Sequence, residues 1–231
     1  MGTTTSYLRP DGKKVDGYLA GSQGTADAPG IVIIQEWWGL NDQIRGVAER
    51  LATAGYRALV PDLFRGKSTV EAEEAHHLMT GLNFADAASQ DIRGAVQFLK
   101  KNNNGKVGVM GFCMGGALTL LAACMAPEID AAVPWYGCPP LEYVDATKIK
   151  APLLGHWATQ DEFFKIASID QLEEKLRAAN VRYEFHRYLA HHAFANETAV
   201  GPHRIAQTQY DAAWSQQAWD RTFRFLGRWL G

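Results

Sequence analysis

The 231 residues predict an α/β sandwich, a mostly parallel sheet with helices packed on both faces. Three observations carry this reading. Short apolar, β-branched runs alternate with longer stretches of helical periodicity. Several of the runs are apolar throughout, as strands buried on both faces must be. No internal repeat, low-complexity tract or Pro/Gly-rich linker breaks the alternation, so one domain over 1–231 is expected.

Taken in order, residues 7–19 read as a hairpin around the Pro10-Asp11-Gly12 turn. Strands are expected at 30–35, 57–60, 107–111, 131–136, 152–156 and 182–188, with helices at 42–54, 69–82, 85–101, 113–125, 169–179 and 205–230. Within 42–54, Ile44, Val47, Ala48 and Leu51 recur at helical spacing and Gly55 follows as a terminal cap. In the last helix Trp214, Phe223, Leu226 and Leu230 are expected to pack on the sheet.

Composition narrows the function. With 47% hydrophobic and 21% charged residues the chain can bury a large core. A formal net charge of -2, with both signs dispersed, supplies no basic stripe for phosphates, so nucleic acid is not an expected partner. No apolar run is long enough to cross a bilayer and the N-terminus lacks a signal-peptide core, so a cytoplasmic protein with no membrane partner is expected. The three cysteines, Cys113, Cys124 and Cys138, form neither an even set nor a C-x-x-C pair, which disfavours a disulfide framework or zinc site. Cys124, inside Ala117-Leu-Thr-Leu-Leu-Ala-Ala-Cys-Met-Ala, reads as a small buried hydrophobe.

Cys113 stands in a different context. Val107-Gly-Val-Met-Gly111-Phe-Cys113-Met-Gly115-Gly is a strand running through G-x-C-x-G into a helix, the nucleophile-elbow pattern with cysteine in the serine slot. Such a turn needs Gly111 and Gly115 because Cβ atoms there would collide with neighbouring backbone, and a helix N-terminus favours a thiolate. The plainer alternative is a glycine-rich turn around a buried cysteine.

A nucleophilic thiol needs a base, and the base an orienting acid, in the chain order nucleophile, acid, histidine. Asp161 follows the 152–156 strand, with an ordinary helix N-cap as its competing reading and Glu162 as the fallback acid. His191 and His192 follow the 182–188 strand, and either could be the base by position. The first long strand runs into Glu36-Trp37-Trp38, at the edge where parallel sheets bind ligands. The backbone N–H groups of Trp37 and Met114 are the expected oxyanion hole. Glu36 could equally be a capping or salt-bridged acid, and the tryptophans could be core.

Together, Ile34-Gln-Glu36-Trp-Trp-Gly-Leu-Asn-Asp-Gln-Ile-Arg, Ala58-Leu-Val-Pro61-Asp62-Leu-Phe, the Cys113 elbow, Asp161 and His192-Ala-Phe-Ala resemble the dienelactone hydrolases over most of the chain. The resemblance implies an α/β-hydrolase three-layer sandwich without a large cap domain, and a Cys113-Asp161-His192 triad. In that family the acid at Glu36 takes the thiol proton when substrate binds. It implies no metal or organic cofactor, and a small ester or lactone as substrate. The protein is expected to be a monomer or small homo-oligomer. The chain departs from the family where an H-x-F-A-R run carries a carboxylate-binding arginine, since Asn196 fills that slot. Asparagine lacks the bidentate fork of arginine, so a substrate other than the acidic dienelactone is expected. Trp38, Phe194 and Asn196 are the expected pocket residues, with Trp37 and Trp38 suggesting an aromatic or apolar acyl site. The competing reading is a thiol redox sensor or scaffold on the same fold.

Overall fold

The computed structural model describes residues 1–21, 27–101, 105–202 and 204–231. Its strands are β1 (Thr3–Leu8), β2 (Lys14–Ala20), β3 (Gly30–Ile34), β4 (Arg57–Pro61), β5 (Val107–Phe112), β6 (Ala131–Trp135), β7 (Leu153–Ala158) and β8 (Tyr183–Tyr188). Its helices are α1 (Asp42–Thr53), α2 (Ala72–Thr80), α3 (Phe84–Asp86), α4 (Arg93–Lys101), α5 (Met114–Met125), α6 (Ile166–Ala178) and α7 (Ala212–Leu230). The strands form one sheet in the order β1-β2-β4-β3-β5-β6-β7-β8. β3 to β8 run parallel, and the β1–β2 hairpin closes one edge in antiparallel fashion.

The central strands are buried residue by residue, and their alternation sorts side chains into two cores. On β3, Val32 and Ile34 join the core under α4, α5 and α6, whereas Ile31 and Ile33 join the core under α1 and α7. Helices on both faces of a mostly parallel sheet make the three-layer α/β arrangement, with no large cap domain among the described residues.

Two expectations need correction. The 85–101 helix is not regular, because a π-helical turn over Ala87–Ile92 separates α3 from α4. That turn carries buried Asp91, which accepts from Arg9 at 3.0 Å and from Arg65 at 2.9 Å. Side-chain periodicity does not register one inserted residue held by ion pairs from distant segments. The last helix begins at Ala212 rather than 205, because Asp211 caps it by accepting the Trp214 N–H at 3.0 Å. Of the residues expected to pack on the sheet, Leu226 and Leu230 are buried, Trp214 and Phe223 pack half-buried against the same core, and Trp219 and Phe225 join them there.

The order of strands decides where chemistry can occur. The chain leaves β3 for β4 on one side and returns to β5 on the other, so the carboxyl ends of β3 and β5 open a crevice between diverging connections. Ile34 pairs with Gly111 across this gap. Glu36 and Cys113 thus leave adjacent strands at the same level.

Candidate active site

Cys113 occupies the turn between β5 and α5 with φ 55° and ψ -117°, a conformation that L-residues rarely hold without support from their surroundings. The support is visible. The Cys113 N–H donates to the Trp135 carbonyl at 3.0 Å, and the Cys113 carbonyl accepts from Gly116 at 2.9 Å and Ala117 at 3.1 Å. A Cβ on Gly115 would stand 2.4 Å from the Ile34 carbonyl oxygen, and one on Gly137 only 1.8 Å from the Cys113 carbonyl oxygen. Bare backbone at these points lets α5 press its N-terminus against the ends of β3 and β6.

His192 follows β8, and its Nδ1 lies 2.7 Å from Asp161 Oδ2, with both side chains buried. The other oxygen, Asp161 Oδ1, accepts the N–H groups of Phe163 at 2.8 Å and Phe164 at 2.9 Å. Asp161 is therefore not a helix N-cap, a position that Lys165 fills, but closes its own turn while holding the imidazole. Glu162 is exposed. The neighbouring His191 is half-buried and does not share the Asp161 carboxylate, because successive residues of an extended segment point opposite ways.

The His192 loop is braced by the segment expected to be helical. Gln209 N–H donates to the His192 carbonyl at 3.0 Å, Asp211 N–H to Phe194 at 3.0 Å and Tyr210 N–H to Ala199 at 2.9 Å. Rings close round the imidazole as well: Phe163, Tyr136 and Phe164 lie with centroids 5.0, 5.2 and 5.6 Å away.

With Nδ1 held by Asp161, the His192 imidazole lies near enough to Cys113 for the charge there to act on it. Burial disfavours the imidazolium, but the negative charge at Cys113 and the bond to Asp161 outweigh it and lift the His192 pKa to about 10. Glu36, wholly buried, is shifted upward by desolvation, which the nearby His192 charge and two hydrogen bonds only partly offset. Those bonds come from Asn196 Nδ2, 2.6 Å from Glu36 Oε2, and from the Tyr136 hydroxyl, 3.1 Å from Oε1. Glu36 is thus held by two neutral donors, with no hydrogen bond to the thiol.

Sequence reasoning did not single out Tyr136. Its position at the carboxyl end of β6, in Trp135-Tyr136-Gly137 beside the elbow, was the available signal. A cavity of about 510 Å³ opens at Cys113, and its wall includes Met114, Leu121, Cys138, Tyr143 and Phe164 but not Trp38, Phe194 or Asn196. Phe194 is fully buried between Trp135, Tyr136 and Tyr188, Asn196 is turned onto Glu36, and Trp38 packs edge-on against Trp37 at 5.1 Å. The N–H of Met114 opens α5 with no carbonyl four residues back to accept it. No acceptor for the Trp37 N–H stands among the described residues.

Among the described residues no three His, Cys, Asp or Glu side chains group as a metal site, and no helix is long and apolar enough to cross a membrane.

Comparison with known proteins bears on the family and the fold. A family model described as the dienelactone hydrolase family matches residues 15–230. Protein usf of Aquifex pyrophilus is 34% identical over the whole of both chains. A carboxymethylenebutenolidase of Pseudomonas putida is 33% identical, covering 80% of this chain and 83% of its own. Among solved structures, a dienelactone hydrolase-like promiscuous phosphotriesterase from metagenomic libraries superposes with a TM-score of 0.87 at 24% identity, over 100% of this chain and 99% of that one. That likeness speaks to the fold alone.

Proposed function

The chain belongs to the dienelactone hydrolase family, and on that premise we propose that it hydrolyses a small carboxylic ester or lactone through a thioester on Cys113. The observation that carries this reading is the 2.7 Å contact between Asp161 and His192, on an imidazole near enough to Cys113 to feel its charge.

The chemistry follows from the arrangement. His192 takes the thiol proton and Asp161 fixes its tautomer, as an orienting acid does in triads of this kind. The thiolate sulfur bonds to the carbonyl carbon while the carbonyl electron pair moves onto oxygen, where the Met114 and Trp37 amides donate to it. Collapse expels the alkoxide, which takes the proton from His192 and leaves a thioester. His192 then removes a proton from water, the hydroxide attacks the thioester, and the acid departs with the thiolate restored. Glu36, held by Tyr136 and Asn196, is a charge neighbour of the imidazolium in this scheme rather than the group bonded to the thiol. The reaction runs within one domain over 1–231, and the free thiol suits a reducing compartment.

Turnover of p-nitrophenyl acetate by the parent protein and by C113A, with intact-mass analysis of H192A, tests the scheme. C113A is expected to be inactive, and H192A, which lacks the base for both half-reactions, to be acylated slowly at Cys113 by this activated ester and then to hold the adduct. Undiminished turnover by C113A overturns the assignment. A parent protein without esterase activity whose Cys113 is oxidised by peroxide equally well in D161A and H192A would instead favour the redox reading.

A further inference from the structure

The cavity at Cys113 has a one-sided chemistry. Its wall is almost wholly apolar, and apart from Cys113 itself none of its thirteen lining residues carries a charge. Three of them, Met79, Met114 and Met125, are methionines, whose flexible thioethers accommodate varied apolar shapes. The second thiol there does not compete with Cys113, since burial pushes Cys138 up to about 12 and keeps it neutral. At about 510 Å³ the space falls within the roughly 300–1,000 Å³ usual for small-molecule sites.

The cavity also has a direction. Cys113 and Met114, the nucleophile and one proposed oxyanion donor, belong to its wall, whereas His192 and Asp161 do not. Phe164 stands between, lining the cavity while its ring lies 5.6 Å from the imidazole. A leaving group must depart where His192 can protonate it, so the part of the substrate inside the cavity is the part that remains on sulfur.

We propose that this cavity seats the acyl chain of a neutral, apolar ester, and that the chain's substrates carry no charge in their acyl half. The inference rests on the hydrolase reading above and narrows it. A carboxylate-bearing acyl group would lose its hydration there without a cation to replace it.

The test compares p-nitrophenyl acetate, butyrate, hexanoate and octanoate with the mono-p-nitrophenyl ester of adipic acid. kcat/KM is expected to rise roughly fourfold per added methylene, equivalent to about 0.8 kcal/mol each, until the cavity is full. The adipate ester should fall well below hexanoate. Two variants at the rim, where Ala85 and Tyr143 are exposed, probe the wall without disturbing the core. A85W should cut octanoate turnover more than acetate turnover. Y143R should raise the adipate ester's kcat/KM roughly tenfold by supplying a partner for the carboxylate. Cys113-dependent hydrolysis that is flat with chain length, or fastest on the adipate ester, overturns this proposal and leaves the hydrolase reading intact. If no ester is hydrolysed, the hydrolase reading fails, and binding decides the cavity's role: N-phenyl-1-naphthylamine fluorescence on C113A should be displaced by octanamide and weakened by A85W. Absence of that displacement overturns the proposal on its own.

Discussion

Asn196 Nδ2 donates to Glu36 Oε2 over 2.6 Å, joining the loop after β8 to the end of β3 across 160 residues of sequence. An amide rather than a cation therefore faces a carboxylate that burial already pushes toward its neutral form. The contact is saturated from the other side too, because Asn196 Oδ1 accepts from the Thr198 N–H and hydroxyl at 2.9 and 2.7 Å.

Removing this donor should be felt in stability and in titration together. N196A is expected to cost about 1–3 kcal/mol, the usual penalty for a buried group left without its partner. It should also move the Glu36 pKa further upward, since a bond that stabilises the carboxylate is lost. Chemical denaturation at several pH values checks both. A carboxyl whose folded pKa is raised contributes stability below its unfolded pKa and loses it as pH rises through the folded value, so the deficit of N196A should be smaller at acid pH than at neutral pH.

The two oxygens of Asp161 have separate duties, and D161N separates them experimentally. The amide's carbonyl can still accept the Phe163 and Phe164 N–H groups, so the turn should persist, but an amide NH₂ turned to His192 Nδ1 cannot orient the imidazole with that nitrogen protonated. A loss of roughly 10⁴ in kcat with little change in thermal stability is expected, by analogy with the same substitution in serine triads. A near-parental kcat would show that Asp161 serves only its turn.

The raised pKa of His192 should depend on the sulfur. In the parent protein the imidazole is expected to titrate near 10, and in C113A, where the charge at position 113 is gone, distinctly lower, as followed by the ring resonances in NMR. The stability that comes from protonated His192 is present below about pH 6.5 and disappears as pH rises through the folded value. C113A should shed that contribution at lower pH than the parent.

Glycine positions supply a paired stability test. G137A forces a methyl group against the Cys113 carbonyl oxygen, 1.8 Å from the ideal Cβ, so the elbow must shift. A loss of about 1–3 kcal/mol with reduced esterase activity is expected. G46A, exposed in α1 with nothing within 4 Å of its Cβ, should instead stabilise the protein by about 0.5–1 kcal/mol. Urea unfolding of the two variants should give shifts of opposite sign.

The fold and the chain order of Cys113, Asp161 and His192 were legible in the sequence because they rest on local properties. All-apolar runs have to be buried on both faces, and a strand-glycine-cysteine-glycine-helix run has few ways to lie. Tertiary structure alone decided that Tyr136 and Asn196 hold Glu36, and that residues 208–211 brace the His192 loop instead of extending α7. It also set an apolar cavity against α5, the loop after β6 and the facing ends of α2 and α3. These outcomes depend on contacts between segments 11 to 160 residues apart, and periodicity reports only which face of an element avoids water, not what another element sets against it.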